Sequence, residues 1–317
     1  MKDKRFYRTF FAMYIVLVFQ NVISLSVNLA DNIMLGAYSE TSLSGVAAVN
    51  QIQFIYQQLL MAAGDGMVIF CSQYWGKKQI GPVKKIAATA MHTGLAFALI
   101  LFLAVSLFPH RAVGLFTTDE AIIAEGVKYL AVIRFTYLFF AVTTILLATL
   151  RSVEIVKIAF YLSVSTLVIN CCINYVLIYG KFGAPQLGVI GAAIGTLAAR
   201  IIECAVAVWY VLKKEPNLKM RISDYFHTDR ILRKDYYKTT LPMLVVQGLW
   251  GLNTAMQTAI LGHMTARAIA ANSAASNLFL MVKSMAVGAS SAASVVMGKS
   301  IGEGDMSRVR LYARRLQ

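Results

Sequence analysis

Long apolar segments separated by short polar ones recur along the whole chain. Because an apolar helix of about 20 residues spans the hydrocarbon core of a bilayer, this pattern predicts an all-α integral membrane protein. We count eight predicted spans, at about 9–36, 45–74, 86–108, 121–150, 157–180, 188–212, 239–262 and 266–297. The connections are short, apart from a charged stretch after the sixth span, which we expect to be an amphipathic linker on the membrane surface.

The spans fall into two related groups. A shift of 226 residues without a gap places Gly302 on Gly76 and Ala289 on Ala63. A parallel repeat of this kind, with an even number of spans in each unit, is typical of transporters built from two lobes. We therefore expect three regions: a complete six-helix N-terminal lobe at 1–212, a cytoplasmic amphipathic linker at 213–238, and an incomplete C-terminal lobe at 239–317.

The second copy of the repeat stops at Gln317, where the first copy enters its third span. Completing the copy would need about 120 more residues and four more helices. We therefore expect the chain to be a C-terminally truncated form of a twelve-helix transporter that is a monomer at full length. An inactive fragment is an alternative.

Lys and Arg are distributed unevenly among the connections. The net charge is +15, but the basic residues gather at the N-terminus and in alternate loops, such as 77–85 and 299–315, while the intervening loops contain almost none. This positive-inside pattern places a multi-pass protein in the cytoplasmic membrane with its N-terminus in the cytoplasm. We therefore expect the basic loops to face the surface of the lipid bilayer and not to bind nucleic acid.

The stretch from Gln20 to Gly36 carries a carboxylate, Asp31, within an apolar span. Steps of three and four residues back from Asp31 reach Asn28, Ser24 and Gln20, so these polar residues share one helix face. A carboxylate at mid-membrane depth costs about 2.5–3.5 kcal/mol and usually faces a bundle interior or a watery cavity. Two interpretations stay open, a structural polar seam between helices and a switch titrated by a cation.

Five stretches together resemble the multidrug and toxic compound extrusion (MATE) family, in its DinF-like bacterial branch. They are QNVISLSVNLADNIMLG, GDGMVIFCSQYWGKK, NCCINYVLIYG, GVIGAAIGTLAAR and TLPMLVVQ, and they follow one another in this order along the chain. The resemblance implies two six-helix lobes that export amphipathic organic compounds or drugs in exchange for H⁺ or Na⁺, by alternating access.

The resemblance also implies a set of cation-coupling residues. Asp31 matches the coupling carboxylate of the first helix, and Asn170 and Asn174 match its partners on the fifth. Tyr137 and Thr196 match further polar positions, and Asp31 is a candidate ligand for Na⁺. Independently of the family, the two asparagines are four residues apart on one helix face, where both can donate to a carboxylate. Ordinary interhelical hydrogen bonding is the alternative.

The chain departs from the family pattern at two positions, and its second lobe lacks the acid of the first. Val16 stands where relatives often have a proline, although Pro242 occupies the equivalent place in the second lobe. Trp250 stands where the NorM-like branch has a glutamate, and Gln257 is the repeat partner of Asp31. We therefore expect coupling to belong to the N-terminal lobe.

Further charges lie within the predicted spans. Arg200 and Glu203 are three residues apart on one helix and are expected to pair. A cation at Lys283 would be an unusual lining for a cavity that takes cationic drugs, which points to an anionic or zwitterionic substrate. The candidate gating or cavity residues are Asn28, Gln20, Gln51, Asp65 and Lys283.

Other classes of function find little support. The chain has no P-loop, no catalytic constellation and no metal-ligand spacing among its four cysteines and four histidines. We therefore expect a transporter and not an enzyme, with no cofactor other than the coupling ion and no bound metal except Na⁺. A lipid-linked saccharide flippase of related architecture is the main alternative, because Lys283 and Arg134 provide cations within the spans.

Overall fold

The computed structural model shows a bundle of long helices. It describes residues 2–215, 218, 220–261 and 266–316, with side chains for all of these except 2–5, 255, 258–259, 261, 266–274, 277–278 and 281. The α-helices in the described residues are α1 (Lys2–Tyr38), α2 (Glu40–Gly76), α3 (Ile80–Leu107), α4 (Pro109–Gly114), α5 (Glu120–Ile133), α6 (Thr136–Ser152), α7 (Lys157–Tyr179), α8 (Val189–Trp209), α9 (Arg230–Leu261), α10 (Ala266–Gly302) and α11 (Met306–Leu316). A π-helical turn, Tyr210–Lys214, continues α8, and a 3₁₀ turn, Ile222–Phe226, lies in the linker.

Five of the described helices, α1, α2, α3, α7 and α8, are long and apolar enough to cross a membrane. The helices α5 and α6 together form a sixth candidate span that is bent by 55°. This bend interrupts the predicted fourth span at Arg134, whose guanidinium packs over the rings of Phe102 and Phe135. Because α9 and α10 are not among these candidates, the predicted count of eight spans is not confirmed.

The second helix is at the centre of the bundle. It packs against α3, α5 and α6 on one side and against α9 and α10 on the other. Fully buried small residues, including Ala62 and Ala63, allow this many neighbours to approach a single helix. We call the end of the bundle that contains residues 77–85, 151–157 and 299–315 the basic end. We refer to α1–α8 as the first lobe and to α9–α11 as the second.

The two lobes cross at the basic end through α2 and α10. The Cα of Gly76 lies against the backbone carbonyl of Lys299, and the Cα of Gly302 lies against that of Gln73. Since the repeat shift relates 73 to 299 as well as 76 to 302, the contact is reciprocal. Ser72 and Gly298, which also touch, are related in the same way. This is the contact that a two-fold axis between the lobes requires, and it supports the predicted repeat.

The linker is held against the first lobe by ion pairs. Lys84 Nζ lies 2.8 Å from Asp224 Oδ2, and Lys85 Nζ lies 3.4 Å from Asp229 Oδ2. Asp229 also caps α9, because its Oδ1 accepts from the backbone N–H of Ile231 at 2.9 Å. The helix therefore begins at Arg230, nine residues before the predicted span.

Parts of two sequence predictions lie outside the described residues. These parts are residues 216, 217 and 219 of the predicted linker and Gly262, the predicted end of the seventh span.

We predict that Gly302→Ala destabilises the protein. Its Cβ would collide with the backbone carbonyl of Gln73, and backbone atoms cannot move aside as a flexible side chain can. Overpacking of this kind costs about 1–3 kcal/mol. The thermal unfolding midpoint of the purified protein should fall, whereas Gly81→Ala is a matched control because a Cβ there meets no atom within 4 Å. Equal midpoints for the two variants would contradict the proposed crossing.

We predict that the start of α9 depends on the Asp229 side chain. Backbone N–H donors from Leu232 and Ile231, followed by the Lys85 ammonium, hold the pKa of Asp229 below its usual range. A carboxylate with a lowered folded-state pKa stabilises the fold above its unfolded pKa, and this contribution is lost as pH falls through the lowered value.

Hydrogen exchange of the amides at 230–233 should therefore accelerate severalfold in Asp229→Ala. It should change little in Asp229→Asn, because asparagine caps a helix nearly as well as aspartate does. Equal acceleration in both variants would show that the charge, and not the cap, holds this turn.

Candidate functional site

The candidate site is formed by α1, α7 and α8, where four polar side chains meet inside the first lobe. Asp31 lies two turns before the end of α1 and is only 6% exposed. Asn170 and Asn174 come from α7 and are fully buried, and Thr196 of α8 is also buried. Burial of this many polar groups within apolar helices is costly unless they bond to one another.

The hydrogen bonds of the cluster converge on the carboxylate. Asn174 Nδ2 donates to Asp31 Oδ1 at 2.6 Å, and Thr196 Oγ1 lies 3.5 Å from Asp31 Oδ2. Asn170 Nδ2 donates to Thr196 Oγ1 at 3.1 Å, while Asn170 Oδ1 lies 3.3 Å from Asn174 Nδ2. Each carboxylate oxygen therefore faces a neutral donor, and Asn170 orients both of these donors.

Close packing of α7 and α8 makes the cluster possible. Gly195 lies directly opposite the amide oxygen of Asn174, and a Cβ at this position would overlap that oxygen. At the far end of α7, Tyr179 Oη donates to the carbonyl of Met34 at 2.9 Å, which anchors α1 beside α7. These contacts set the depth at which Asp31 meets its partners.

No ion pair involves Asp31 in the described part of the chain. Arg200 lies one turn beyond Thr196 on α8 and interacts with Asp31 electrostatically. Its Nη1 bonds Glu203 Oε2 at 2.7 Å, which confirms the predicted pairing, and its guanidinium packs 4.8 Å above the Phe140 ring. The Asp31 carboxylate is thus held by neutral donors, while the nearby Arg200 guanidinium is paired with Glu203.

One acceptor of the cluster is unused. Asn174 Oδ1 is buried and has no hydrogen-bond partner among the described residues. A buried amide oxygen without a partner is costly, so such a group calls for an explanation. It lies on the same side chain that donates to Asp31, so the amide can offer either a donor or an acceptor to that carboxylate.

The other sequence-predicted residues lie apart from this cluster. Tyr137 is buried, but its hydroxyl has no hydrogen-bond partner in the described part of the chain, and its backbone carbonyl accepts from Tyr56 Oη at 2.7 Å. Asn28 is exposed, and Gln20 and Gln51 are half-buried. Of the residues that the sequence places on one polar face of α1, only Asp31 is buried in the first lobe.

The two remaining candidates contact other groups. Asp65 Oδ1 lies 2.6 Å from Arg151 Nη2 near the basic end, and Arg151 Nη1 also reaches Ser291 Oγ of α10 at 3.4 Å. Lys283 Nζ lies 3.0 Å from the centroid of the Trp250 ring. Neither side chain belongs to the Asp31 cluster.

Sequence reasoning missed Tyr129. This side chain of α5 is buried and lies within electrostatic range of Asp31 and Tyr137. Tyr129 precedes the bend at Arg134 and Tyr137 follows it, so a continuous helix over 121–150 would misplace one relative to the other. The position of Tyr129 could not be inferred from the sequence because the bend between α5 and α6 was not predicted.

Comparison with known proteins gives a consistent match. The family model described as MatE matches residues 17–176, just over half of the chain, which include Asp31, Asn170 and Asn174. The "Uncharacterized transporter YisQ" of Bacillus subtilis is 25% identical over 277 residues, covering 86% of this chain and 60% of that protein. The "Probable multidrug resistance protein NorM" of Thermotoga maritima is 27% identical over 197 residues, covering 62% of this chain and 42% of its own length.

The fold agrees with this match. A crystal structure of MATE in the bent conformation superimposes with a TM-score of 0.86 at 16% identity, covering 98% of this chain and 69% of that one. The chain spans about 60% or less of the length of the first two relatives named above. The family model and the shared fold lead to the same assignment, and this chain belongs to the MATE family of multi-pass membrane transporters.

Proposed function

We propose that the protein exports amphipathic organic compounds across the cytoplasmic membrane in exchange for H⁺ or Na⁺. The observation that carries the proposal is a buried carboxylate, Asp31, held by neutral donors. A buried carboxylate held by neutral donors can gain and lose a cation, because no ion pair fixes it in the charged form. The relatives named as multidrug resistance proteins support a drug-like substrate.

The geometry favours a proton as the coupling ion. Asn174 and Thr196 present donors to the two oxygens of Asp31, which suits the ionised form. When Asp31 is protonated, its new O–H needs an acceptor, and the unused Oδ1 of Asn174 can provide one after the amide turns. A sodium ion would instead need several oxygens around it, and Asp31, Thr196 and Asn174 are the residues of the cluster that could supply them.

Protonation would also change how α1 is held. The charged carboxylate binds α1 to α7 and α8 through bonds to a charged acceptor, worth about 1.5–3 kcal/mol each, and these weaken when the charge is removed. Ion binding at Asp31 thereby biases the position of α1, and α1 contacts α10 of the second lobe. This provides a physical link between the ion site and the arrangement of the lobes.

Contacts at the basic end are suited to closing one side of the transporter. Lys299 Nζ of α10 lies 2.6 Å from Glu154 Oε2 of the first lobe. Arg151 contacts both Asp65 and Ser291, which occupy equivalent positions in the repeat. With the N-terminus in the cytoplasm, as the positive-inside pattern predicts, these pairs would close the cytoplasmic side and separate during alternating access.

The flippase alternative has weaker support. A cavity for lipid-linked saccharides would be lined by several basic residues, yet Arg134 packs against the rings of Phe102 and Phe135 at the bend. The other cation that kept this alternative open, Lys283, contacts the Trp250 ring of α9. The proposal extends to the full-length protein, which we expect to act as a monomer.

We predict that Asp31→Asn abolishes coupled export, because an amide cannot exchange a proton or hold a cation by charge. Efflux of ethidium from cells that produce the full-length protein should fall at least tenfold. Asp119→Asn is the matched control, since Asp119 caps α5 through the backbone N–H of Ala121 and asparagine preserves that cap. Comparing imposed pH and Na⁺ gradients in proteoliposomes identifies the ion. Wild-type export by Asp31→Asn would refute the coupling role.

We predict that charge reversal at Glu154 or Lys299 impairs export and that combining the reversals restores it. Either Glu154→Lys or Lys299→Glu alone places like charges 2.6 Å apart at the lobe contact, whereas the double variant rebuilds the pair with opposite polarity. Ethidium efflux should be reduced severalfold in each single variant and recover in the double variant. Failure of the double variant to recover, with all variants equally abundant in the membrane, would contradict a closing role for this pair.

A further inference from the structure

A cation, an indole and a second aromatic ring meet where the two lobes face one another. Lys283 of α10 places its ammonium 3.0 Å from the centroid of the Trp250 ring of α9. The Phe54 ring of α2 lies 5.6 Å from the same indole. Three helices, one from the first lobe and two from the second, therefore contribute to one cluster, which we call the Lys283 cluster.

No carboxylate neutralises Lys283 among the described residues. Asp65 and Glu203 are paired with arginines, and Asp31 is bonded within its own lobe. A cation–π contact offsets only part of the cost of placing a lysine ammonium among membrane-spanning helices. The aromatic contact alone does not balance that cost, so the cluster is suited to receive an anion.

The repeat shows that packing does not require this charge. The equivalent of Lys283 in the first lobe is Gln57, and the equivalent of Trp250 is Ser24. These equivalents lie on α1 and α2, two helices that pack against each other in the first lobe with neutral polar residues at both positions. The cation and the indole are therefore specific to the second lobe, and the two halves of the facing surface differ in charge.

Amide groups lie close to the aromatic rings along the same helices. Gln57 is three residues after Phe54 on α2, and Gln247 is three residues before Trp250 on α9, so each is about one turn from a ring on the same face. Both side chains are half-buried. The cluster thus combines one positive charge, two aromatic surfaces and neutral amides, which is the composition of a site for an aromatic anion.

We infer that the Lys283 cluster binds the carboxylate of the transported compound, and that this compound is an anionic or zwitterionic aromatic molecule. Lys283 provides the counter-charge, and Trp250 and Phe54 provide surfaces for an aromatic ring. The inference rests on the proposed export function, since it concerns what that function carries. It assigns the substrate contact to the second lobe, while Asp31 in the first lobe holds the coupling ion.

The test compares three xanthene dyes that differ mainly in charge. Fluorescein is anionic, rhodamine 110 is zwitterionic, and rhodamine 123, its methyl ester, is cationic at neutral pH. In proteoliposomes of the full-length protein, we expect the two dyes with a free carboxylate to be transported in preference to rhodamine 123. Lys283→Gln, which installs the residue found at the equivalent position, should lower fluorescein transport at least tenfold and raise rhodamine 123 transport. Lys283→Arg should preserve the original preference.

Dye binding is measured separately, by the quenching of tryptophan fluorescence in detergent, so that the result does not depend on coupling. Fluorescein should bind the wild-type protein and the control variant Asp119→Asn alike, and bind Lys283→Gln at least tenfold more weakly. Fluorescein binding that is absent from the wild-type protein, or unchanged by Lys283→Gln, would overturn the inference. Rhodamine 123 export that depends on Asp31 would then leave the proposed function standing. Lys283-dependent binding without export would instead support the site and count against the proposed function.

Discussion

The burial of one carboxylate against neutral partners is the constraint on which the first lobe depends. Asp31 is buried among apolar helices and needs donors there, so α7 must present two asparagines one turn apart and α8 must approach closely enough to add Thr196. Gly195 is required at the point of approach, because any side chain there would displace the Asn174 amide. The hydrogen-bonding requirements of the two Asp31 carboxylate oxygens therefore constrain how α1, α7 and α8 pack.

A second constraint is the close contact of the two lobes at the basic end. There Ala292, Val295 and Val296 of α10 join an apolar core with residues of the first lobe, and the reciprocal glycine contacts beside them bring backbone against backbone. Ion pairs such as Glu154–Lys299 surround this crossing and can separate into water, which an apolar contact cannot do at comparable cost. The close backbone contacts of Gly76 and Gly302 therefore lie next to ion pairs that water can replace.

The sequence was informative wherever periodicity and family motifs coincided. The spacing of residues along the chain was enough to predict the helical character and the repeat shift. Together with the family motifs, it also grouped Asp31 with Asn170, Asn174 and Thr196. The bend at Arg134 could not be predicted, because neither a proline nor a glycine lies at the break between α5 and α6. Tyr129 was missed as a consequence. The exposure of Asn28 depends on how α1 rotates against α7, which helical spacing alone does not determine.

The crossing of α2 and α10 has a mechanical consequence. Two backbones in contact at Gly76 and Gly302 leave little room to slide, but they can turn about the point of contact. The hydrocarbon core is about 30 Å thick, so a rotation of about 10° at one face would displace the other by about 5 Å. The glycines would then serve as a fulcrum, with the lobes as lever arms that convert a small motion at one membrane surface into an opening at the other.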